Sequence, residues 1–463
     1  MISEVFTVKV LKKIGPLLLI LILALFLRLY KINDTFPFDF DQETAANAAY
    51  DFFTYHKITL IGQELSFEGF FLGPLHNWIQ FIPYGLCNLR PDCVPYFYTL
   101  ISLITIGMLF IVVRKTIGKK AALISCTIFG LSFAQISYEI GVNSNYFLFL
   151  SSVGLFFAVY KYFQGSNLFL IIGAFLAGVA TVNFNPVFIF STLAFYLTAL
   201  LRKDRSVLFF SGAILAFLIN YIPLIIFNFR HDNILWHNFQ KFSAYSTSSQ
   251  DYLERSQFIV KNVLIPFNSN FLFQSASIFW EAITLFLIAL GLTKAAKSGD
   301  RFWLFFPIWI IIPIIGFTVY RGHVPDYYFQ QTLLPFIILI AFAARRNLLI
   351  FMVFMLFFFF TNISRAINYQ TIINYQFKKD AVNFIVNDSK KETFNVYYEI
   401  PVGFNTGYRY LFKVSGREPH DGSQNLYIIE FTDDFALDKY RETFKDRNIN
   451  LKVIGSLNII SVK

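Results

Sequence analysis

Apolar stretches of roughly bilayer-spanning length recur through most of the chain, and short polar connections separate them. A transmembrane helix needs about 20 predominantly apolar residues, and most of these stretches approach that length. The pattern predicts eleven spans, at residues 14–29, 95–113, 121–138, 145–162, 167–182, 186–201, 207–227, 278–294, 302–319, 330–344 and 347–365. Residues 1–375 are therefore predicted to form a mainly α-helical, polytopic membrane domain.

Two connections are longer than the others. Residues 31–94, between the first two spans, are amphipathic, and segments 45–55 and 75–86 are predicted to be helices lying along the membrane surface. Residues 228–277 lack clear internal structure, which is typical of a functional lid or of a disordered segment. Their many aromatic side chains argue against disorder.

Residues 376–463 have the composition of a soluble domain. Periodicity predicts helices at 380–387 and 435–447, strands at 394–399 and 426–431, a helix or strand at 408–414, and a hairpin at 451–462. This part is therefore predicted to be a small α/β domain. It contains no Gly-rich phosphate loop, metal-ligand cluster or nucleophile elbow, so a scaffolding or acceptor-guiding role is favoured over catalysis.

Composition and charge agree with a membrane protein. Only 15% of the residues are charged and 56% are hydrophobic, whereas a soluble domain has about 25% charged residues. The net charge of +10 is also typical of nucleic-acid binding, but Lys and Arg lie mostly at the ends of spans, as the positive-inside rule requires. The basic connections fall on one side, which predicts a cytoplasmic N-terminus and an extracytoplasmic 376–463 domain. No small-residue cleavage site follows the first apolar run, so it is predicted to be a retained span rather than a signal peptide.

Candidate chemistry centres on the acidic stretch Phe36-Pro-Phe-Asp39-Phe-Asp41-Gln-Glu43, directly after the first span. Carboxylates are costly near hydrocarbon, so an acidic pair at the membrane surface is a candidate functional site. Asp41 also precedes an Ala-rich helical pattern, where it would serve as an N-cap that accepts hydrogen bonds from free amides. The residues alone leave both interpretations open.

Phe40-Asp41-Gln42 after the first span, followed by a helix and by Gly69-Phe-Phe-Leu-Gly-Pro74-Leu, resembles a known family. This family is the C-type-fold membrane glycosyltransferases, specifically the dolichyl-phosphate-mannose protein mannosyltransferase-like group, whose bacterial members include the aminoarabinose transferase of lipid A. Hydropathy supports the resemblance over about the first 370 residues, and the motifs match mainly over 36–76. Gln42 stands where the family usually has Glu, and Glu43 follows it.

The resemblance implies an inverting glycosyltransferase. It would move a hexose or pentose from an undecaprenyl- or dolichyl-phosphate donor to an acceptor hydroxyl on the outer face of the membrane. The acceptor would be a protein, a lipid or a glycan, and nucleic acid is not an expected partner. Asp41 corresponds to the catalytic base of the family, with Asp39, Glu43 and Glu68 as supporting acidic residues.

No metal cofactor is expected, because catalysis in the family is thought not to need one. A divalent ion remains an alternative: Asp39-x-Asp41 imitates a metal-binding Asp-x-Asp pair, and Glu68 with His231 or His323 would offer mixed oxygen and imidazole ligands.

The leaving phosphate of such a donor concentrates negative charge, which preorganised Arg or Lys stabilises in the transition state. Arg230 and Arg321, in the predicted outer connections, are the candidates for binding the donor phosphate, and Lys241 is a secondary candidate. Snorkelling of these side chains toward the interface is the alternative explanation.

Several polar residues are candidates for the substrate cavity. Tyr327-Tyr328 stands where relatives often have His-Tyr, and Glu139, Asn143 and His231 are further cavity candidates. A helix-capping cluster explains Glu139 and Asn143 equally well.

Cys87 and Cys93 lie in the connection 31–94, on the predicted oxidising side. A disulfide would suit that compartment, and two free thiols are the alternative.

Two other classes share some of these features. A lipid-linked oligosaccharide ligase or polymerase also has many spans and large outer loops, but it lacks an Asp motif in the first loop. A non-enzymatic glycolipid transporter typically shows internal repeats, and this sequence shows none.

Overall fold

The computed structural model describes residues 2–65, 68–203, 206–244, 251–320, 322–345, 348–432 and 437–463. The α-helices are α1 Ile2–Leu29, α2 Ile32–Thr35, α3 Phe40–Tyr55, α4 Leu75–Leu86, α5 Val94–Thr116, α6 Lys119–Leu131, α7 Phe133–Ile140, α8 Phe147–Phe163, α9 Leu168–Val179, α10 Ile189–Ala199, α11 Val207–Leu218, α12 Ile222–Arg230, α13 Ile234–Ala244, α14 Tyr252–Phe258, α15 Ile265–Phe273, α16 Ile278–Ala296, α17 Phe305–Val319, α18 Leu333–Ala344, α19 Leu348–Asn368, α20 Tyr375–Asp388, α21 Tyr408–Val414 and α22 Leu437–Thr443. The strands are β1 Phe394–Glu399, β2 Asn425–Phe431, β3 Ile449–Ile454 and β4 Leu457–Val462.

The membrane-spanning helices lie where the sequence predicts them. In the described part of the chain, 7 helical segments are long and apolar enough to cross a membrane, and α6 and α7, which meet at a bend of 53°, meet the same criterion only when they are taken together. Shorter apolar segments at Gly15–Leu29, Leu168–Phe184 and Pro186–Ala199 account for the remaining predicted spans. The prediction of a mainly α-helical, multi-pass membrane protein is confirmed.

The bundle is built around α18, which is buried along its whole length. Helix α11 lies at the periphery, where Ala213 is its one buried residue and large apolar side chains such as Leu208 and Leu215 are exposed. A helix that is apolar on all sides suits either a protein core or lipid contact. The two helices illustrate these two environments.

The connection between the first two spans contains the two predicted surface helices, α3 and α4. Helix α3 begins at Phe40, earlier than its Ala-rich pattern suggests. After α4, a disulfide joins Cys87 to Cys93, with their Cα atoms 5.9 Å apart. The connection between the first two spans therefore contains two helices and a disulfide.

The C-terminal part is the predicted small α/β domain. Its four strands are ordered β1-β2-β4-β3, with β1 parallel to β2 and β4 antiparallel to both β2 and β3. The ambiguous segment 408–414 is helical, as α21. Both the start of α20, which leads into the domain, and the domain itself contact the first connection. The backbone N–H of Tyr375 at the start of α20 donates to the Phe36 carbonyl (2.8 Å), and the Tyr410 hydroxyl donates to the Leu89 carbonyl (2.6 Å).

The described residues of 228–277 are largely helical, as α13, α14, α15 and a π-helical turn at Ile259–Leu264. The expectation of a long connection without internal structure is therefore wrong. Helix α13 also contacts the first connection, because Asn238 Nδ2 donates to the Gly69 carbonyl (3.0 Å).

Candidate active site

The first turn of α3 shows that Asp41 is not a helix cap. Asp39 occupies the N-cap position with an extended backbone (φ −113°, ψ −161°), and its N–H donates to Gln42 Oε1 (2.8 Å). Asp41 is the second residue of the helix. The alternative interpretation of Asp41 as an N-cap is therefore wrong, and its carboxylate requires another explanation.

Asp39 and Glu43 both face the C-terminal domain. Lys378 Nζ lies 2.6 Å from Asp39 Oδ1. The Glu43 carboxylate accepts the backbone N–H groups of Gly407 (2.9 Å) and Tyr410 (3.0 Å), at the start of α21. Residues four apart share a helix face, so one face of α3 holds both contacts. The structure thus gives both residues a partner in the C-terminal domain.

Asp41 faces the other way, because residues two apart point to nearly opposite sides of a helix. Its Oδ1 accepts a hydrogen bond from Gln63 Nε2 (2.5 Å), and it lies close enough to Tyr327 for electrostatic interaction. Burial raises the pKa of Asp41 above its usual value, with the charge of Asp39 adding to this rise and the Gln63 hydrogen bond opposing it. A carboxylate with a raised pKa is a better proton acceptor.

A cavity of about 380 Å³ lies beside Asp41, since Gln63 lines it. Its wall is mainly apolar and includes Leu65, Phe70, Leu72, Phe184, Val187, Ile189, Phe190, Phe239 and Phe317. The polar lining residues are Gln63, Glu64, Ser144, Asn145, Asn185, Tyr320, Tyr327 and Tyr328. A largely apolar cavity with a few convergent polar groups is typical of a site for an amphipathic ligand.

The structure brings only some of the predicted polar residues to this cavity. Tyr327 and Tyr328 lie in its wall. Asn143 does not line the cavity, although Asn145 does and accepts a hydrogen bond from Asn185 (2.7 Å). Glu139 is buried in an ion pair with Arg28 instead of facing the cavity.

The remaining predicted residues lie elsewhere. Arg230, Lys241 and the possible metal ligands Glu68, His231 and His323 are exposed and do not line the cavity. His231 stacks on Phe227. Arg321 lies outside the described residues. Across the residues that the structure describes, no three His, Cys, Asp or Glu side chains are grouped to hold a metal ion.

Arg255, in α14, is a cation that the sequence analysis missed. Its Nη2 donates to the carbonyls of Gly322 (2.6 Å) and Tyr320 (3.3 Å), and Tyr320 lines the cavity. Its Nε is buried and has no hydrogen-bond partner among the described residues. The sequence carries no signal for this placement, because a lone Arg in a polar segment is usually solvated.

Gln63, which bonds to Asp41, and Lys378, which pairs with Asp39, are two further residues of the site that the sequence did not predict. A glutamine in a loop and a lysine in a Lys-Lys-Asp segment are common surface patterns. Their roles depend on contacts between segments far apart in the chain.

No protein-family model and no curated protein matches the sequence. The structure is similar to the crystal structure of ArnT from Cupriavidus metallidurans bound to undecaprenyl phosphate, with a TM-score of 0.60 and 13% identity, covering 97% of this chain and 98% of that one. The apo state of the same protein matches with a TM-score of 0.60, 12% identity and the same coverage. The archaeal oligosaccharyltransferase AglB from Archaeoglobus fulgidus, in complex with an inhibitory peptide and a dolichol-phosphate, matches with a TM-score of 0.51 and 14% identity, covering 88% of this chain and 64% of that one. Both proteins are C-type-fold membrane glycosyltransferases, and this chain has that fold, as the sequence predicts.

Proposed function

We propose that this protein is an inverting glycosyltransferase that moves a sugar from a polyprenyl-phosphate donor to an acceptor hydroxyl at the outer face of the membrane. In this proposal the N-terminus is cytoplasmic and the C-terminal domain is extracytoplasmic. The observation that carries the proposal is the arrangement of the three carboxylates at the start of α3. Asp39 and Glu43 contact the C-terminal domain, whereas Asp41 lies beside the cavity.

Asp41 acts as the general base in this proposal. It takes the proton of the acceptor hydroxyl while the acceptor oxygen attacks the anomeric carbon and the phosphate leaves from the opposite side. A single displacement of this kind inverts the sugar carbon. Gln63 orients the carboxylate through its hydrogen bond, and the raised pKa of Asp41 makes the carboxylate a stronger base.

The apolar wall of the cavity suits the first isoprene units of a polyprenyl chain. ArnT, which shares the fold, is seen with undecaprenyl phosphate. For the donor phosphate we propose Arg255, because its guanidinium lies next to the cavity wall through Tyr320 and retains an unpartnered N–H. Arg321, a candidate from the sequence, remains a second predicted cation for the donor phosphate. Arg230 and Lys241 are exposed, which does not favour them for this role.

The proposal is tested with the protein in lipid vesicles and a panel of radiolabelled undecaprenyl- and dolichyl-phosphate sugars. Asp41→Asn keeps the size of the side chain but removes the base, so turnover should fall about 10²- to 10⁴-fold with folding intact. Asp51→Asn is the matched control, because Asp51 lies on the same helix and contacts Lys413 (3.8 Å), away from the cavity.

Near-normal transfer by Asp41→Asn would contradict the assignment of the base. Movement of the donor across the vesicle membrane, without transfer of its sugar to an acceptor, would instead identify a glycolipid transporter. Transfer only from a diphosphate-linked oligosaccharide would favour the ligase or polymerase class.

A further inference from the structure

We propose that Lys378 of the C-terminal domain is a positioning residue for this reaction: by holding Asp39, it fixes the first turn of α3 and thereby the direction in which Asp41 faces. This inference rests on the proposed function, because it concerns the base of that reaction. It gives the C-terminal domain a defined role at the site, which it performs without lining the cavity.

Lys378 is fully enclosed, with 0% of its side chain exposed. An ammonium group has three N–H donors, and Lys378 uses all of them. They bond to the Phe38 carbonyl (2.9 Å), Asp39 Oδ1 (2.6 Å) and the Thr406 carbonyl (2.9 Å). Two of these acceptors belong to the residues that immediately precede α3. Because the lysine is buried and fully bonded, its contacts hold those residues in one geometry.

A second contact holds the same turn. Glu43 accepts two backbone N–H groups at the start of α21, where amide groups lack helical partners. The Phe38 ring packs against the rings of Tyr375 and Tyr410, with centroids 5.7 and 5.9 Å away. The domain therefore contacts α3 on both sides of Asp41 along the chain. Lys378 supplies the contact at the helix start.

Lys378 also affects the charge around Asp41. The groups that interact electrostatically with Asp41 are Asp39 at the N-cap of α3, Gln63 from the following segment and Tyr327 from the turn before α18, and Lys378 pairs with Asp39. The ammonium offsets the negative charge of Asp39. Without it, the uncompensated charge of Asp39 would strengthen proton binding by Asp41, so the acidic limb of the rate profile would move to higher pH.

The test compares Lys378→Met, Asp39→Asn, the double variant and Lys379→Met in the full-length protein. Lys379→Met is the matched control, because the adjacent Lys379 joins the same domain to Asp92 (2.7 Å) rather than to α3. Lys378→Met should lower kcat about 10- to 100-fold with little change in the donor KM. It should also move the acidic limb of kcat upward by up to about one pH unit. Asp39→Asn should move the acidic limb of kcat to lower pH. The double variant should return this limb toward its wild-type pH.

Hydrogen exchange provides a readout that does not depend on transfer. Lys378→Met should increase exchange of the amides of residues 40–44, and Lys379→Met should not.

If wild-type protein transfers sugar and Lys378→Met matches Lys379→Met in kcat, in the acidic limb of the pH profile and in exchange, the inference fails while the proposed function stands. If wild-type protein transfers no sugar from any donor but exchange rises only in Lys378→Met, the proposed function fails and the structural part of the inference stands. If Lys378→Met does not fold, Asp39→Asn decides the question: increased exchange at residues 40–44 with an acidic limb at lower pH supports the inference, and wild-type exchange with a wild-type limb contradicts it.

Discussion

Arg28 and Glu139 form an ion pair inside the helical bundle, where their side chains are 1% and 3% exposed. Arg28 Nε lies 2.5 Å from Glu139 Oε2, and Arg28 Nη1 donates to the Ala24 and Gly130 carbonyls. Ser102 and Gln135 donate to the same carboxylate. A buried ion pair is tolerated only when such additional hydrogen bonds offset the desolvation of both charges. The pair therefore joins α1 to α7 as long as both partners are present.

Removing one partner of this pair should be more damaging than removing both. Arg28→Met leaves the Glu139 carboxylate buried without its counter-charge, so the free energy of unfolding should fall by about 3–5 kcal/mol. Thermal unfolding of the detergent-solubilised protein, followed by tryptophan fluorescence, measures the effect. The double variant Arg28→Met with Glu139→Gln should recover much of the loss, and Arg114→Met, at an exposed site, is the control. An equal loss in the single and double variants would contradict this interpretation.

At the scale of the elements, basic side chains near one end of the spans bond to the ends of neighbouring helices. The last carbonyls of a helix have no intrahelical partner, and cations are favourable there. The bonds run from Lys294 to the Ala343 carbonyl (2.7 Å), Arg345 to Ile117 (2.8 Å), Arg202 to Tyr162 (2.8 Å) and Arg301 to Leu201 (3.1 Å). The residues that carry the positive-inside pattern therefore also join adjacent spans.

The Cys87–Cys93 disulfide closes the short segment between α4 and α5. Alkylation of the untreated protein should detect no free thiol at either position, because both sulfurs are bonded. Cys126 is buried and should react only after unfolding. Mass spectrometry of alkylated peptides, with and without reductant, measures all three sites. Full labelling of Cys87 and Cys93 without reductant would rule out the disulfide.

At the scale of the whole molecule, three parts of the chain meet at α3. The first connection supplies Asp41 and Gln63, the bundle supplies most of the cavity wall, and the C-terminal domain contacts the first turn of α3 through Lys378. The cavity and its carboxylate thus depend on the assembly of the chain as a whole. A function of the C-terminal domain in isolation is not expected.

The positions of the basic connections and the eleven spans predict that the C-terminal domain is extracytoplasmic. A reporter active only outside the cytoplasm, fused after Lys463, should therefore be active, and one active only in the cytoplasm should be silent. Fusions after Arg202, in a predicted cytoplasmic connection, should show the reverse. Cytoplasmic activity after Lys463 would contradict the number of spans.

The sequence by itself determined the parts of this protein that follow from local pattern. The spans, helices α3 and α4 and the C-terminal strands depend on hydrophobic periodicity within short windows, and the acidic motif at Asp41 lies in one continuous stretch. The sequence did not reveal the helices among the described residues of 228–277, because these helices are short and separated by polar residues.

Only the tertiary structure decided which of the three carboxylates contacts residues of the cavity wall. In the sequence, Asp41 is open to interpretation as a cap or as a base, and Asp39 is a supporting acidic residue. The structure separates their positions: Asp39 is the N-cap and bonds to Lys378, 339 residues away along the chain, whereas Asp41 bonds to Gln63. The pairing of Arg28 with Glu139 and the position of Arg255 beside Tyr320 were also decided only by the tertiary structure. Such partners are selected by the packing of distant segments and by the need to satisfy each buried charge, and neither condition is visible in a local pattern.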